Sequence, residues 1–121
     1  MNRTRMLAAT GLAALTTGVL ASSAGAAASG GTLVASVSDP LNISLTQGGK
    51  KVTTLKAGTY TITVQDKASD HDFHLTGPGV NKVTSVSGKG TTTWKVTLKK
   101  GTYKYVCDPH ASFMKGSFKV T

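Results

Sequence analysis

Near its C-terminal end the chain reads Cys107-Asp108-Pro109-His110-Ala111-Ser112-Phe113-Met114, which sets a thiol, an imidazole and a thioether three and four residues apart. Further imidazoles come from His71-Asp72-Phe73-His74, in a segment well upstream. A thiolate, two imidazoles and a thioether form a soft donor set. Copper accepts two nitrogens and a thiolate with a weakly held thioether; zinc sites rarely use methionine, and calcium and magnesium want oxygen. The candidate ligands are therefore His71, Cys107, His110 and Met114, around one copper ion. Pro109 stiffens the turn so that Cys107 and His110 point at one centre, and Met114 reaches back from the far side.

Cys107 is the only cysteine, so it forms no intramolecular disulfide. Binding as a thiolate would protect it in an oxidising compartment. Taken alone, either Cys107 or His110 has a plain structural reading, and it is the combination with His71 and Met114 that points to a metal. Nucleophilic catalysis by Cys107 with His110 fits less well, because no oxyanion-hole motif or orienting third group accompanies them. A covalent haem would want C-x-x-C-H, which is absent. An oxidase would need further copper centres, and three histidines are too few. The expectation is a binding protein and no enzyme.

These residues need a scaffold, and the punctuation of the chain describes one. Strand-like runs fall at Leu33 to Ser38, Leu41 to Thr46, Lys51 to Leu55, Thr59 to Gln65, Asp70 to Thr76, Thr91 to Leu98, Thr102 to Cys107 and Gly116 to Val120. Between them lie turn formers such as Asp39-Pro40, Gln47-Gly48-Gly49, Gly77-Pro78-Gly79 and Gly88-Lys89-Gly90. About eight short strands without an amphipathic helix predict an all-β sandwich or barrel. Period-two alternation gives the inner rows: Tyr60, Ile62 and Val64; Trp94, Val96 and Leu98; Tyr103 and Tyr105, with Cys107 next in parity. By the same parity His71 joins Phe73 and Leu75 inside, while His74 points out and is not a ligand.

The N-terminal end has another character. Met1 to Arg5 is basic, and Met6 to Ala21 is uncharged, apolar or small, and too short to span a bilayer. Ala24-Gly25-Ala26 then offers a cleavage site, so residues 1–26 read as a secretory signal, 27–32 as a flexible lead-in and 33–121 as one domain. The expected location is extracellular or periplasmic, with no stable membrane insertion after cleavage. Losing Arg3 and Arg5 takes the formal charge from +9 to +7 and leaves neither arginine nor glutamate. Scattered lysines without arginine do not suit base readout, so no nucleic-acid role is expected.

Three segments together resemble the cupredoxins, the blue copper family that includes plastocyanin, pseudoazurin and amicyanin. They are the His71-Asp72 dipeptide, the Gly-Thr-Tyr-x-Tyr-x-Cys strand from Gly101 to Cys107, and Cys-x-Pro-His followed by Met-x-Gly from Cys107 to Gly116. The resemblance implies a Greek-key β-sandwich and one-electron transfer through copper, with His71, Cys107 and His110 equatorial and Met114 axial. Asp72 stands where the family has Asn, and Asp108 where it often has Ser or Thr. Two carboxylates there can tie the ligand loops together only if one is protonated or both turn to other donors.

Two uses of such a site remain: a diffusing electron carrier, or a protein that delivers copper to an exported cuproenzyme. Delivery would favour Met or His clusters outside the ligand set, and His74 is the only spare histidine. The carrier is the stronger expectation. Its redox partner should present an acidic docking face to this basic chain, which is expected to be a monomer.

Overall fold

The computed structural model describes residues 29–121; the signal read in 1–26 and the start of the lead-in lie outside the described residues. Ten strands follow in order: β1 (Ser29–Ser38), β2 (Asn42–Gln47), β3 (Lys50–Lys51), β4 (Thr54–Leu55), β5 (Gly58–Asp66), β6 (His74–Gly77), β7 (Val80–Val83), β8 (Gly90–Leu98), β9 (Gly101–Val106) and β10 (Lys115–Val120). They make two five-stranded sheets, ordered β3-β2-β1-β5-β8 and β4-β10-β9-β6-β7. This is the expected β-sandwich. Each sheet is mixed, since β1 runs parallel to β5 and β10 parallel to β4, with all other neighbours antiparallel.

Alternation builds the core as the sequence implies. β5 has a strictly alternating burial pattern that hides Tyr60, Ile62 and Val64, and β8 hides Trp94, Val96 and Leu98. The opposing sheet contributes Leu75, Tyr103, Tyr105, Phe118 and Val120. Its aromatic side chains form a row: Tyr103 stacks on Phe118 with centroids 5.3 Å apart, and Tyr105 stacks on Phe73 at 5.5 Å. Such pairs add roughly 0.5–1.5 kcal/mol beyond area burial. Cys107 follows β9 two residues beyond Tyr105 and is buried in the same core cluster.

Three strand readings need correction. The run Lys51 to Leu55 divides into β3 and β4, which belong to different sheets, because the chain crosses the sandwich at Val52-Thr53. The run Asp70 to Thr76 begins only at His74, since residues 71–73 are held by loop contacts. The segment Val80–Val83, not anticipated, pairs with β6 through the turn at Pro78-Gly79. It is an edge strand with an exposed pattern, and so lacks the alternation that reveals a half-buried strand.

The turn from β8 to β9 is pinned by Tyr103. Its fully buried ring brings a hydroxyl that donates to Pro78 O at 3.0 Å and accepts from Lys99 N at 2.9 Å. Tyr103→Phe removes both of these part-buried hydrogen bonds and is expected to cost about 0.5–1.5 kcal/mol. Urea unfolding measures it, and an unchanged midpoint would show that the corner carries no stability.

Candidate metal centre

The antiparallel pairing of β6 with β9, His74 opposite Val106, puts the start of one strand beside the end of the other. Residues immediately outside that pairing form the site. Cys107 follows β9, and the chain then makes a 3-10 turn over Asp108–His110 with Pro109 in its first turn. The Cys107 N–H donates to Met114 O at 2.9 Å and closes the loop at its base. Inside it, His110 N donates to Cys107 O at 3.0 Å, and both Phe113 N and Met114 N donate to His110 O at 2.9 Å. An eight-residue loop that satisfies its own backbone in this way has little freedom to move its side chains.

The other loop is held as firmly. Phe73 N donates to the Thr84 hydroxyl at 2.9 Å and Thr84 N returns to Phe73 O at 3.2 Å. Upstream, Lys67 N donates to Val37 O and Ala68 N to the Asp66 carboxylate. His71, Asp72 and Phe73 are all buried. His71 does point inward as expected, but parity is not the reason, because Asp72 is buried alongside it. Loop packing against Cys107 turns both inside.

Three donor atoms converge: His71 Nδ1 and His110 Nδ1 lie 3.1 Å apart, and Cys107 Sγ lies 3.7 Å from the first and 3.5 Å from the second. Ligands held at ~2.0–2.3 Å around one ion in a trigonal plane sit about 3.5 Å from one another, so these residues fit a single type 1 copper. His71 and Cys107 are wholly buried, and His110 is part-exposed. Met114 is fully buried at the loop's closing end, joined to Cys107 through its own carbonyl. Burial pushes the Cys107 thiol up, against backbone N–H groups of Asp72 and His110 that favour the thiolate.

The two aspartates solve the problem the sequence posed. Asp108 N donates to Asp72 Oδ1 at 2.6 Å, so the tie between ligand loops comes from the main chain. The Asp108 carboxylate turns outward to His74 Nδ1 at 3.0 Å, and His74 Nε2 meets Asn81 Oδ1 at 2.7 Å. Burial raises the Asp72 carboxyl, while the hydrogen bond Asp108 shares with Asp72, followed by His74, holds Asp108 low. Burial works against charge on His74, yet hydrogen bonds to Asn81 and Asp108 outweigh it and its pKa is raised. His74 thus stands outside the donor cluster, as expected. Two contributors went unread: Asn81, on the unanticipated β7, and Asp39, whose carboxylate lies 3.0 Å from His71 Nε2. Asp39 had no signal beyond a turn dipeptide.

A family model described as copper binding proteins, plastocyanin/azurin family, matches residues 39–121. No curated protein sequence matches. Among solved structures the chain is similar to reduced rusticyanin, at 23% identity and TM-score 0.54, covering 76% of this chain and 80% of that one. Rusticyanin from Thiobacillus ferrooxidans is similar at 24% identity and TM-score 0.53, covering 76% and 78%. Reduced rusticyanin solved by NMR gives 23% and 0.55, covering 81% and 83%. At such identities the likeness to rusticyanin concerns the fold.

The His74–Asp108 contact has a pH signature. His74, raised, stabilises fully below its unfolded value near ~6.5 and loses the effect as pH rises through its folded value; Asp108, lowered, stabilises above ~3.9 and loses it on acidification. Between these limits His74→Ala is expected to destabilise the metal-free protein by under ~1 kcal/mol, shrinking at alkaline pH. Thermal melts across pH measure the difference, and a gap that widened with rising pH would contradict the assignment.

Proposed function

Because the chain belongs to the plastocyanin/azurin family of copper-binding proteins, the cupredoxins, we propose that it is an exported one-electron carrier whose copper is held by His71, Cys107, His110 and Met114. The observation that carries the reading is the triangle of two imidazole nitrogens and one thiolate sulfur, with edges of 3.1, 3.5 and 3.7 Å, at the closed end of a β-sandwich. Copper bound there supplies a one-electron Cu(I)/Cu(II) couple. The chain's own part is to hold the donors still. His71 and Cys107 are held by the loop hydrogen bonds above, and Met114, buried at the loop's closing end, is the proposed weak fourth donor.

His110 is the ligand with an exposed edge, and Pro109, Ala111, Ser112 and Phe113 surround it. Phe113 is 76% exposed, an unusual position for a large apolar side chain. This small apolar rim is the proposed docking contact through which an electron would pass by way of His110. All twelve lysines are exposed while Asp66 and Asp72 are buried, which supports a partner with an acidic face.

Export rests on the composition of residues 1–26. Among the described residues no helix is long and apolar enough to cross a membrane. Delivery of copper is the weaker use, because His71 and Cys107 are sealed and no histidine or methionine cluster outside the site offers a hand-off.

With Cu(II) the protein is expected to show an intense thiolate-to-copper band that disappears in Cys107→Ser and is lost or grossly altered in His71→Ala, while His74→Ala keeps it. Visible spectra with copper stoichiometry decide the point; a colourless His74→Ala beside a blue His71→Ala would reverse the ligand assignment.

Electron transfer to the physiological partner should slow markedly as ionic strength rises beyond roughly 0.1–0.15 M. Stopped-flow rates over a salt series test this, and a rate indifferent to salt would refute an acidic docking face.

A further inference from the structure

The two nitrogens of His71 face different surroundings. Nδ1 looks toward His110 Nδ1 and Cys107 Sγ, whereas Nε2 looks the other way, to Asp39 Oδ1 at 3.0 Å and, more distantly, Asp70 Oδ1 at 3.7 Å. The imidazole is wholly buried, yet the Asp39 side chain is 71% exposed. Asp39 lies in the turn from β1 to β2, where its carbonyl accepts from Asn42 Nδ2 at 2.8 Å. The carboxylate therefore comes from the β1–β2 end of one sheet, while Cys107 and His110 come from the β9–β10 loop of the other.

We propose that Asp39 is a positioning residue of the metal centre, whose carboxylate accepts the Nε2–H of His71 and thereby aims the Nδ1 lone pair at the metal. This rests on the copper reading above. A neutral imidazole carries one proton, and an ionised carboxylate can only accept, so the proton belongs on Nε2. Nδ1 is then free at the position where it meets the other two donors. The same contact sets a carboxylate directly behind the His71 ring and fixes the ring's orientation toward the other two donors. Among the described residues His110 pairs with no carboxylate, so the two imidazoles are unequal. A negative charge this close to the site favours the more highly charged ion. Asp39 accordingly stabilises Cu(II) relative to Cu(I) and lowers the reduction potential.

The test compares copper-loaded wild type, Asp39→Ala, Asp39→Asn and Asp70→Asn by spectroelectrochemistry at one pH and salt concentration. It adds nitrogen-15 NMR of the His71 ring in the diamagnetic Cu(I) and metal-free forms. Asp39→Ala is expected to lower the Cu(II) to Cu(I) affinity ratio about tenfold, which is a rise of ~59 mV for one electron. Its His71 Nε2–H should exchange faster with water. Asp39→Asn keeps an acceptor without the charge, so it should shift the potential in the same direction by less and leave the tautomer in place; it also carries the test if the alanine variant does not fold. Asp70→Asn should move the potential less than Asp39→Ala does. Variants that melt earlier at an unchanged potential would show Asp39 to be structural only and overturn the proposal. A wild type that takes up no copper would instead sink the copper reading. In that case the metal-free tautomer still decides for Asp39, because a His71 proton found on Nδ1 overturns its role.

Discussion

The register of β6 against β9 is the constraint on which the metal centre depends. His74 sits opposite Val106, Leu75 opposite Tyr105 and Thr76 opposite Lys104, so the antiparallel pair ends with His71 and Cys107 on neighbouring loops. A slip of one residue would reverse which side chains of β9 face the core, exchanging Tyr103 and Tyr105 for Thr102, Lys104 and Val106. The core forbids that exchange, because Tyr105 stacks on Phe73 and Tyr103 on Phe118. The aromatic row that stabilises the sandwich thus also fixes where the thiol emerges. Fold energetics and ligand placement are one problem here.

Charge is partitioned along the same axis. Four of the five aspartates gather around the site, Asp39 and Asp70 behind His71 and Asp72 and Asp108 between the loops, while Asp66 at the end of β5 accepts from Ala68 N. Each serves a local purpose there, by accepting a main-chain N–H or by facing a histidine. The lysines therefore have little opposing charge elsewhere on the surface, and the domain presents a broadly positive field. A surface of this kind speeds encounter with an acidic partner without adding a tight interface, which suits a complex that must come apart after one electron.

How legible all this was varied with the range of the interaction. Cys107, His110 and Met114 announce themselves because one loop carries all three at short spacing, and the inner rows of β5, β8 and β9 follow from alternation alone. His71 was found with support from the resemblance, since parity fails in residues 71–73, where no ladder enforces it and Asp72 is buried as deeply as its neighbours. β7 was missed because an edge strand with three exposed residues has no buried face to leave a pattern. Asp39 and Asn81 were missed for a different reason. Their contacts with His71 and His74 are side chain to side chain between separate strand ends, and nothing local in Asp39-Pro40 or Val80-Asn81 specifies the partner.

Rigidity is what distinguishes the carrier reading from delivery. A carrier must present nearly the same donor positions to Cu(I) and Cu(II), because any rearrangement between the two states adds to the barrier for electron transfer. The loop from Cys107 to Met114 meets that demand through its own backbone hydrogen bonds, and the Asp108 N–H to Asp72 bond ties it to the loop that holds His71. A delivery protein needs the opposite property, a ligand set that opens when an acceptor approaches. To release copper here, the chain would have to expose a buried thiolate and a buried imidazole and break the tie between the two loops. That opening would leave several buried polar groups unpaired at once, each costing on the order of 1–3 kcal/mol. On the proposed carrier reading, the same contacts add no barrier to an electron that passes through the exposed edge of His110.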